Sequence, residues 1–214
     1  MKVAIIFLDY KRHEFTKKTM SENLTNCGYD YVFIYINKLG VSAALNEGIR
    51  KAKEWNVDAI VTMANDILMP FNWLYEMVRY LKVIHNTGMC GIYCVENEPK
   101  ELISINNVEI EKTFVPFGNV IIPMDAINNV GGFNEEYDPY GMQDRDMAYR
   151  LNLAGYINYY IPGLKSEHIG HDVGNGTEYR AMKDESLAKA QAVWEKYDKI
   201  YNEPEYLINM KQFI

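Results

Sequence analysis

Hydrophobic positions in the first eighty residues fall into two alternating patterns. Residues 3–8 (VAIIFL), 31–36 (YVFIYI) and 58–63 (DAIVTM) are short, nearly continuous apolar runs, as expected of strands buried on both faces. Between them lie segments with helical spacing. Residues 14–27 form the first, with Gly28 as its stop. The second follows Ser42, a residue able to cap it, with Ala44, Leu45, Ala52 and the nearby Trp55 as its apolar side. The third follows Pro70 and carries the stripe Phe71, Leu74, Met77, Val78 and Leu81. Three strand–helix units in succession predict a parallel sheet covered on both faces. Ligands of such sheets bind beyond the carboxyl ends of the strands. Those ends here are polar: Leu8-Asp9-Tyr10, Asn37-Lys38 and Asn65-Asp66.

The second half is less regular. Residues 91–95 read as a further strand. Residues 102–122 mix short alternating runs with Asn, Pro and Gly, the pattern of hairpins or an irregular sheet. A helix begins near Asp144, a strand occupies residues 156–161, and a charged stretch from 178 to about 202 predicts a C-terminal helix with Leu187, Ala190 and Trp194 on one side. No repeat or linker separates a second domain in the 214 residues.

Bulk properties narrow the class. Apolar residues make up 48% and charged residues 24%, a globular balance, and the net charge of -7 argues against a surface built to grip phosphate backbones. Cys27, Cys90 and Cys94 fit neither a disulfide framework nor zinc spacing, so reduced thiols are expected. The N-terminal apolar run is too short for a signal peptide, and no run has the length of a membrane span. The expectation is a cytoplasmic protein with no integral membrane segment.

Two aspartates raise chemical questions. Asp66 ends an apolar strand ahead of Pro70. It is either a turn or cap residue or a ligand for Mg2+ or Mn2+, ions that take one or two protein carboxylates when phosphate oxygens and water complete the shell. In "YGMQDRDMAYRL", Asp144, Met147, Ala148 and Leu151 fall at i, i+3, i+4 and i+7, so Asp144 shares a buried face. It is either a helix cap or an inward-pointing reactive carboxylate. Asp146 and Arg150, four apart, read as an exposed ion pair. Among the 17 tyrosines, Tyr156 and Tyr160 read as core residues, and Tyr140 is the best aromatic candidate for a ligand contact.

The order of these segments resembles family-2 glycosyltransferases of the GT-A fold. "LDYKR" resembles the first nucleotide-contact segment, "NKLGVSAALNEGIRKA" the Asn-rich loop and helix, and "VTMANDILMPFNWL" the metal-site strand. "GGFNEEYDPYGMQDRDMAYRLNLAGY" resembles the acceptor-side segment. The likeness spans about residues 3–171. It implies an α/β fold, a Rossmann-like mixed sheet with helices on both faces, forming a single domain over residues 1–214. Residues 1–100 would be the nucleotide-sugar half, 101–175 the acceptor-side half and 176–214 a helical tail.

The resemblance also implies roles. Asp66 and His168 would hold Mn2+ or Mg2+ against a nucleotide-diphosphate sugar such as a UDP sugar. Leu8, Asp9, Tyr10, Asn37, Asn46 and Asn65 would line or support the donor pocket. Asp144 would be the general base in an inverting transfer to an acceptor hydroxyl, with Tyr140 and Gln143 on the acceptor side. The acceptor could be a glycan, a lipid-linked sugar, a protein or a modified base. His171 is a second, less favoured ligand.

The chain departs from the family pattern at Gln143, where an acidic residue is usual, at Asn65, which leaves one carboxylate in the metal motif, and at Asn37, where aspartate is more common. Two alternatives stand beside this reading. A nucleotidyltransferase would need a glycine-rich loop after the first strand, and "LDYKRHEF" has no glycine. A catalytically silent nucleotide-sugar-binding module is compatible with the substitutions at 65 and 143.

Overall fold

The structure is a computed structural model that describes residues 1–9, 13–94, 100–170, 178–197, 200 and 204–214. The predicted alternation is present at the start. Strands β1 (Val3–Leu8), β2 (Val32–Ile36) and β3 (Ala59–Ala64) alternate with helices α1 (His13–Thr25) and α2 (Val41–Glu54). A two-residue strand β4 (Ile67–Leu68) leads to α3 (Trp73–Val83) and β5 (Thr87–Tyr93). A hairpin of β6 (Glu101–Ile105) and β7 (Val108–Lys112) precedes β8 (Val120–Pro123), α4 (Met124–Val130) and a 3-10 turn at Glu135–Tyr137. The chain ends with α5 (Gln143–Leu153), β9 (Ile157–Lys165), β10 (Glu167–His168), α6 (Glu178–Tyr197) and α7 (Pro204–Lys211).

Eight strands form one sheet in the order β2-β1-β3-β8-β5-β9-β7-β6. The first three are parallel, β8 runs antiparallel between β3 and β5, and β9 pairs parallel with β5. The sheet is therefore mixed. The apolar runs are continuous because both faces are covered. Ile5, Val61 and Ile121 belong to the core under α3, with Trp73 fully buried and its indole N–H donating to the Asn23 carbonyl at 2.9 Å. Ile6, Ile60 and Ile122 belong to the opposite core under α2, α4 and α5. Strand alternation explains the division, since successive side chains point to opposite faces.

Several local expectations are corrected. Ser42 does not cap α2. Gly40 precedes the helix, and the Asp138 carboxylate, 96 residues from Ser42, accepts hydrogen bonds from the Ser42 and Ala43 amides at 2.8 and 3.1 Å. A Cβ at Gly40 would stand 2.6 Å from that carboxylate, so glycine is what lets it reach the helix end. Trp55 follows the end of α2 and is exposed, as is Phe71, which precedes α3 and is 73% exposed; Asn72 stands between Phe71 and the helix. The expected C-terminal helix is present as α6, and a further helix, α7, lies beyond it. Tyr160 is buried as expected, but Tyr156 is only half-buried and precedes β9. The strand expected at 91–95 starts earlier, at Thr87, and Val95 lies outside the described residues.

The largest correction concerns α5. Asp146 and Arg150 are not solvated: both are fully buried, paired at 2.6 Å. Arg150 also donates to the carbonyls of Val130 and Gly132 at 2.7 and 2.8 Å, and the Tyr206 hydroxyl donates to Asp146. The i,i+4 spacing is that of an ordinary surface pair, but these carbonyls and the α7 tyrosine complete the shell that a buried pair requires. Burial, with the negative Asp146 beside it, holds the Tyr206 hydroxyl far above the usual phenol range.

Candidate active site

The site forms where β1 and β3 end. Leu8 and Ala64, paired across β1 and β3, are half-buried, and beyond each the chain turns polar. Asp9 is buried. Its carboxylate accepts hydrogen bonds from Thr16 at 2.7 Å, from Asn65 at 3.1 Å and from the Tyr35 hydroxyl, and meets His13 Nδ1 at 2.9 Å. Burial alone would raise its pKa. The hydrogen bonds from Tyr35, Thr16 and His13 outweigh that and hold it below the ordinary aspartate value.

Asn65 and Asp66 diverge. The Asn65 amide turns back into this cluster, donating to Asp9 and to Thr16 Oγ1, each at 3.1 Å, while its carbonyl accepts from Thr19 at 2.8 Å. Asp66 faces the other way. Strand β4, immediately after it, pairs antiparallel with β10 in the register His168↔Ile67. That pairing brings His168 Nε2 to 3.3 Å from Asp66 Oδ2. A Cβ added at Gly170 would lie 2.5 Å from the same oxygen, so the absence of a side chain there leaves Asp66 its space.

Asp144 reaches the site from α5. The chain enters this helix through Gly141 (φ +113°) and Met142 (φ +61°), with Gln143 Oε1 accepting from the Gly141 amide at 2.8 Å. Met142, not Asp144, stands at the cap position, and Asp144 lies in the first turn, bonded to the Arg145 amide at 2.9 Å. The shared face is as expected on one side: Met147, Ala148 and Leu151 are fully buried, while Asp144 is half-buried at its upper end.

One cavity of about 460 Å³ connects these groups. Asp66 and His168 are on its wall with Asp144, Gln143 and Tyr140, and Leu8 and Asn65 also line it. The other site expectations fall elsewhere. Asn46 is fully buried and bridges α2 to Phe133, exchanging hydrogen bonds of 2.8 Å with its carbonyl and amide. It supports the wall without lining the cavity. Asn37 is exposed just past β2. Tyr10 and His171 lie outside the described residues. The Tyr140 ring already carries a cation, the Lys183 ammonium at 4.2 Å from its centroid.

Three known structures share this architecture at low sequence identity. A mannosyltransferase of Pyrobaculum calidifontis, solved with GDP-Man and Mn2+, superposes with a TM-score of 0.65 at 14% identity, over 96% of this chain and 69% of its own. The Drosophila β1,4-galactosyltransferase 7, solved as a mutant with manganese, UDP-Gal and xylobiose, gives 0.60 at 14% identity, over 86% of this chain and 74% of its own. GalNAc-T7, solved with UDP, GalNAc and Mn2+, gives 0.61 at 8% identity, over 78% of this chain and 44% of its own. No protein-family model matches the chain, and no curated protein sequence does.

The fold is that of the GT-A glycosyltransferases.

In this GT-A chain, the donor set around Asp66 can be tested against a divalent ion. Two ligands at right angles on an ion with 2.0–2.2 Å bonds are separated by about 3 Å, close to the 3.3 Å between Asp66 Oδ2 and His168 Nε2. One carboxylate and one imidazole fit as two of the positions of such a shell. No third His, Cys, Asp or Glu completes a metal cluster among the described residues, which leaves positions for phosphate oxygens and water. Cys94 also lines the cavity, and burial pushes its thiol up to about 11, so it is protonated at neutral pH.

Helix α6 is the part of the candidate site that periodicity did not reveal. Met182 and Lys183 line the cavity, and α6 comes near enough that a Cβ at Gly141 would lie 2.9 Å from Leu187 Cδ2. The signal was indirect: a charged helix with an apolar side is consistent with any packing partner. Thr62 was likewise hidden inside an apolar strand. Among the described residues, no helix is long and apolar enough to cross a membrane.

Proposed function

We propose that this protein is a metal-dependent, inverting glycosyltransferase of the family-2 type, moving a sugar from a nucleotide diphosphate to an acceptor hydroxyl. The observation that carries the reading is the convergence of Asp66 and His168, from one side, and Asp144, from another, on a single cavity. The similar structures support the donor class, since those proteins were solved with UDP or GDP sugars, or with UDP, and with Mn2+.

Asp66 and His168 would hold Mn2+ or Mg2+ against the donor diphosphate. When bound, that ion offsets the negative charge gathering on the leaving group. Asp144 takes the proton from the acceptor hydroxyl as that oxygen attacks the anomeric carbon. Gln143 and Tyr140, adjoining Asp144, hold the acceptor. With base and leaving group on opposite sides of the reacting carbon, attack is in line and the configuration inverts. Asp9, whose carboxylate is fixed by three side chains and Asn65, anchors the nucleoside end.

The test is a thermal-shift and turnover screen of UDP and GDP sugars with and without Mn2+. Stabilisation by one nucleotide class, strengthened by Mn2+, with release of the nucleoside diphosphate, is the expected result. Absence of both across the panel overturns the proposal.

A further inference from the structure

The cavity lining contains an anomaly. Thr62 lies mid-strand in β3, paired with Ile6 of β1 on one side and Val120 of β8 on the other, both in the core. By strand alternation all three side chains share the face that supports α2 and α5. Ile6 and Val120 are covered, yet Thr62 is half-buried. It is exposed to the cavity, whose lining includes it. The sheet is thus left open at one point, and a hydroxyl is placed there.

Around that hydroxyl the lining is apolar. Leu45 from α2, Met89 from β5, Val120 from β8 and Phe133 all face the same cavity, and each is at most 4% exposed. The metal-ligand candidates Asp66 and His168 and the lysines Lys38 and Lys183 are contributed by other segments. Asp66 is four residues beyond Thr62, past the strand end. The lining therefore divides into charged and polar groups, Asn65, Gln143 and Asp144 among them, and a largely apolar part in which Thr62 carries a neutral hydroxyl.

An unmodified hexose suits that apolar part poorly. It would bring several hydroxyls against carbon surface, and each hydrogen bond to water that is lost without replacement weakens binding. A sugar substituent with one polar group and a methyl matches it better. The methyl is covered by Leu45, Met89 and Phe133, and the single amide finds the Thr62 hydroxyl. Resting on the glycosyl-transfer reading above, we infer that this site takes an N-acyl amino sugar, with the acetamido group seated over Thr62. The chemistry is the same whether that sugar is the donor's or the acceptor's.

Matched ligands test this on the full chain in the presence of Mn2+. Thermal shift and isothermal titration would compare UDP-N-acetylglucosamine with UDP-glucose and UDP-glucosamine, and free N-acetylglucosamine with glucose and glucosamine. The expected result is at least tenfold tighter binding of the acetylated member in one arm. Preference among the nucleotide sugars assigns the apolar part to the donor, and preference among the free sugars with nucleotide present assigns it to the acceptor. Thr62→Val, which keeps the shape and removes the hydroxyl, should reduce the preference several-fold, and Thr62→Ser should keep most of it. If nucleotide sugars bind without preference for the acetylated form in either arm, the inference fails and the glycosyl-transfer reading stands. If no UDP or GDP sugar binds at all, both fail.

Discussion

Asp66 and His168 stand 3.3 Å apart although 102 residues separate them in the chain. The contact depends on a two-strand pairing, β4 against β10, and on a glycine at 170 that leaves room for the carboxylate. His168→Ala and Asp66→Asn should each raise the Mn2+ concentration needed for half-maximal activity at least tenfold, Asp66→Asn more, since it removes the carboxylate charge. A Mn2+ titration of turnover checks this. Gly170→Ala should act in the same direction, because its methyl would crowd Oδ2; unchanged Mn2+ dependence in all three variants would remove Asp66 from the metal site.

Asp144 is assigned the proton transfer, not donor binding. Asp144→Asn should lower transfer by roughly 10²–10⁴-fold and leave the affinity for the sugar nucleotide within a factor of about three. Isothermal titration of the donor beside a transfer assay separates the two. Retained turnover would refute the assignment.

The buried pair on α5 predicts an asymmetry in stability. Arg150→Met strands the Asp146 carboxylate in the core and should destabilise by about 3–5 kcal/mol, as expected for removing one partner of a buried ion pair. Tyr206→Phe removes one hydrogen bond to the same carboxylate but leaves Arg150 in place, so its cost should be about 1–3 kcal/mol. Urea unfolding of the two variants gives the order.

Asp9 predicts a pH dependence. Its pKa in the fold lies below its ordinary value, because the hydrogen bonds from Tyr35, Thr16 and His13 outweigh burial. A depressed carboxylate stabilises the fold fully above its unfolded pKa, and that contribution is lost as pH falls through the folded pKa. The stability difference between the wild type and Asp9→Asn should therefore be constant near neutrality and shrink below about pH 4. Unfolding free energies measured from pH 7 to pH 3 would show it; a difference that grew on acidification would contradict the hydrogen-bond arrangement.

The first three strands were legible because burial on both faces writes a continuous apolar run, and a run such as "VAIIFL" has few other homes. The candidates Asp66, His168 and Asp144 could be named in advance, and the structure brings them to one cavity. What stayed illegible depended on distant partners. The Asp146–Arg150 spacing is the same for a solvated and a buried pair, and only the carbonyls of Val130 and Gly132 and the tyrosine of α7 decide between them. Ser42 carries the usual signature of a helix cap, yet the role belongs to Asp138. The antiparallel insertion of β8 between β3 and β5 leaves no mark on either neighbour, since a strand covered on both faces reads alike whichever way its partner runs.

The Asp138 carboxylate at the start of α2 has a further consequence for engineering. It ties a helix from the amino-terminal portion to a turn from the middle of the chain. A chimera that exchanged one portion for its counterpart from another GT-A protein would break this shared joint unless Gly40 and Asp138 travelled together. The pair is therefore a natural boundary condition for such recombination, and a seam chosen without it would disturb the cavity wall, which Gly40 and Pro139 help to form.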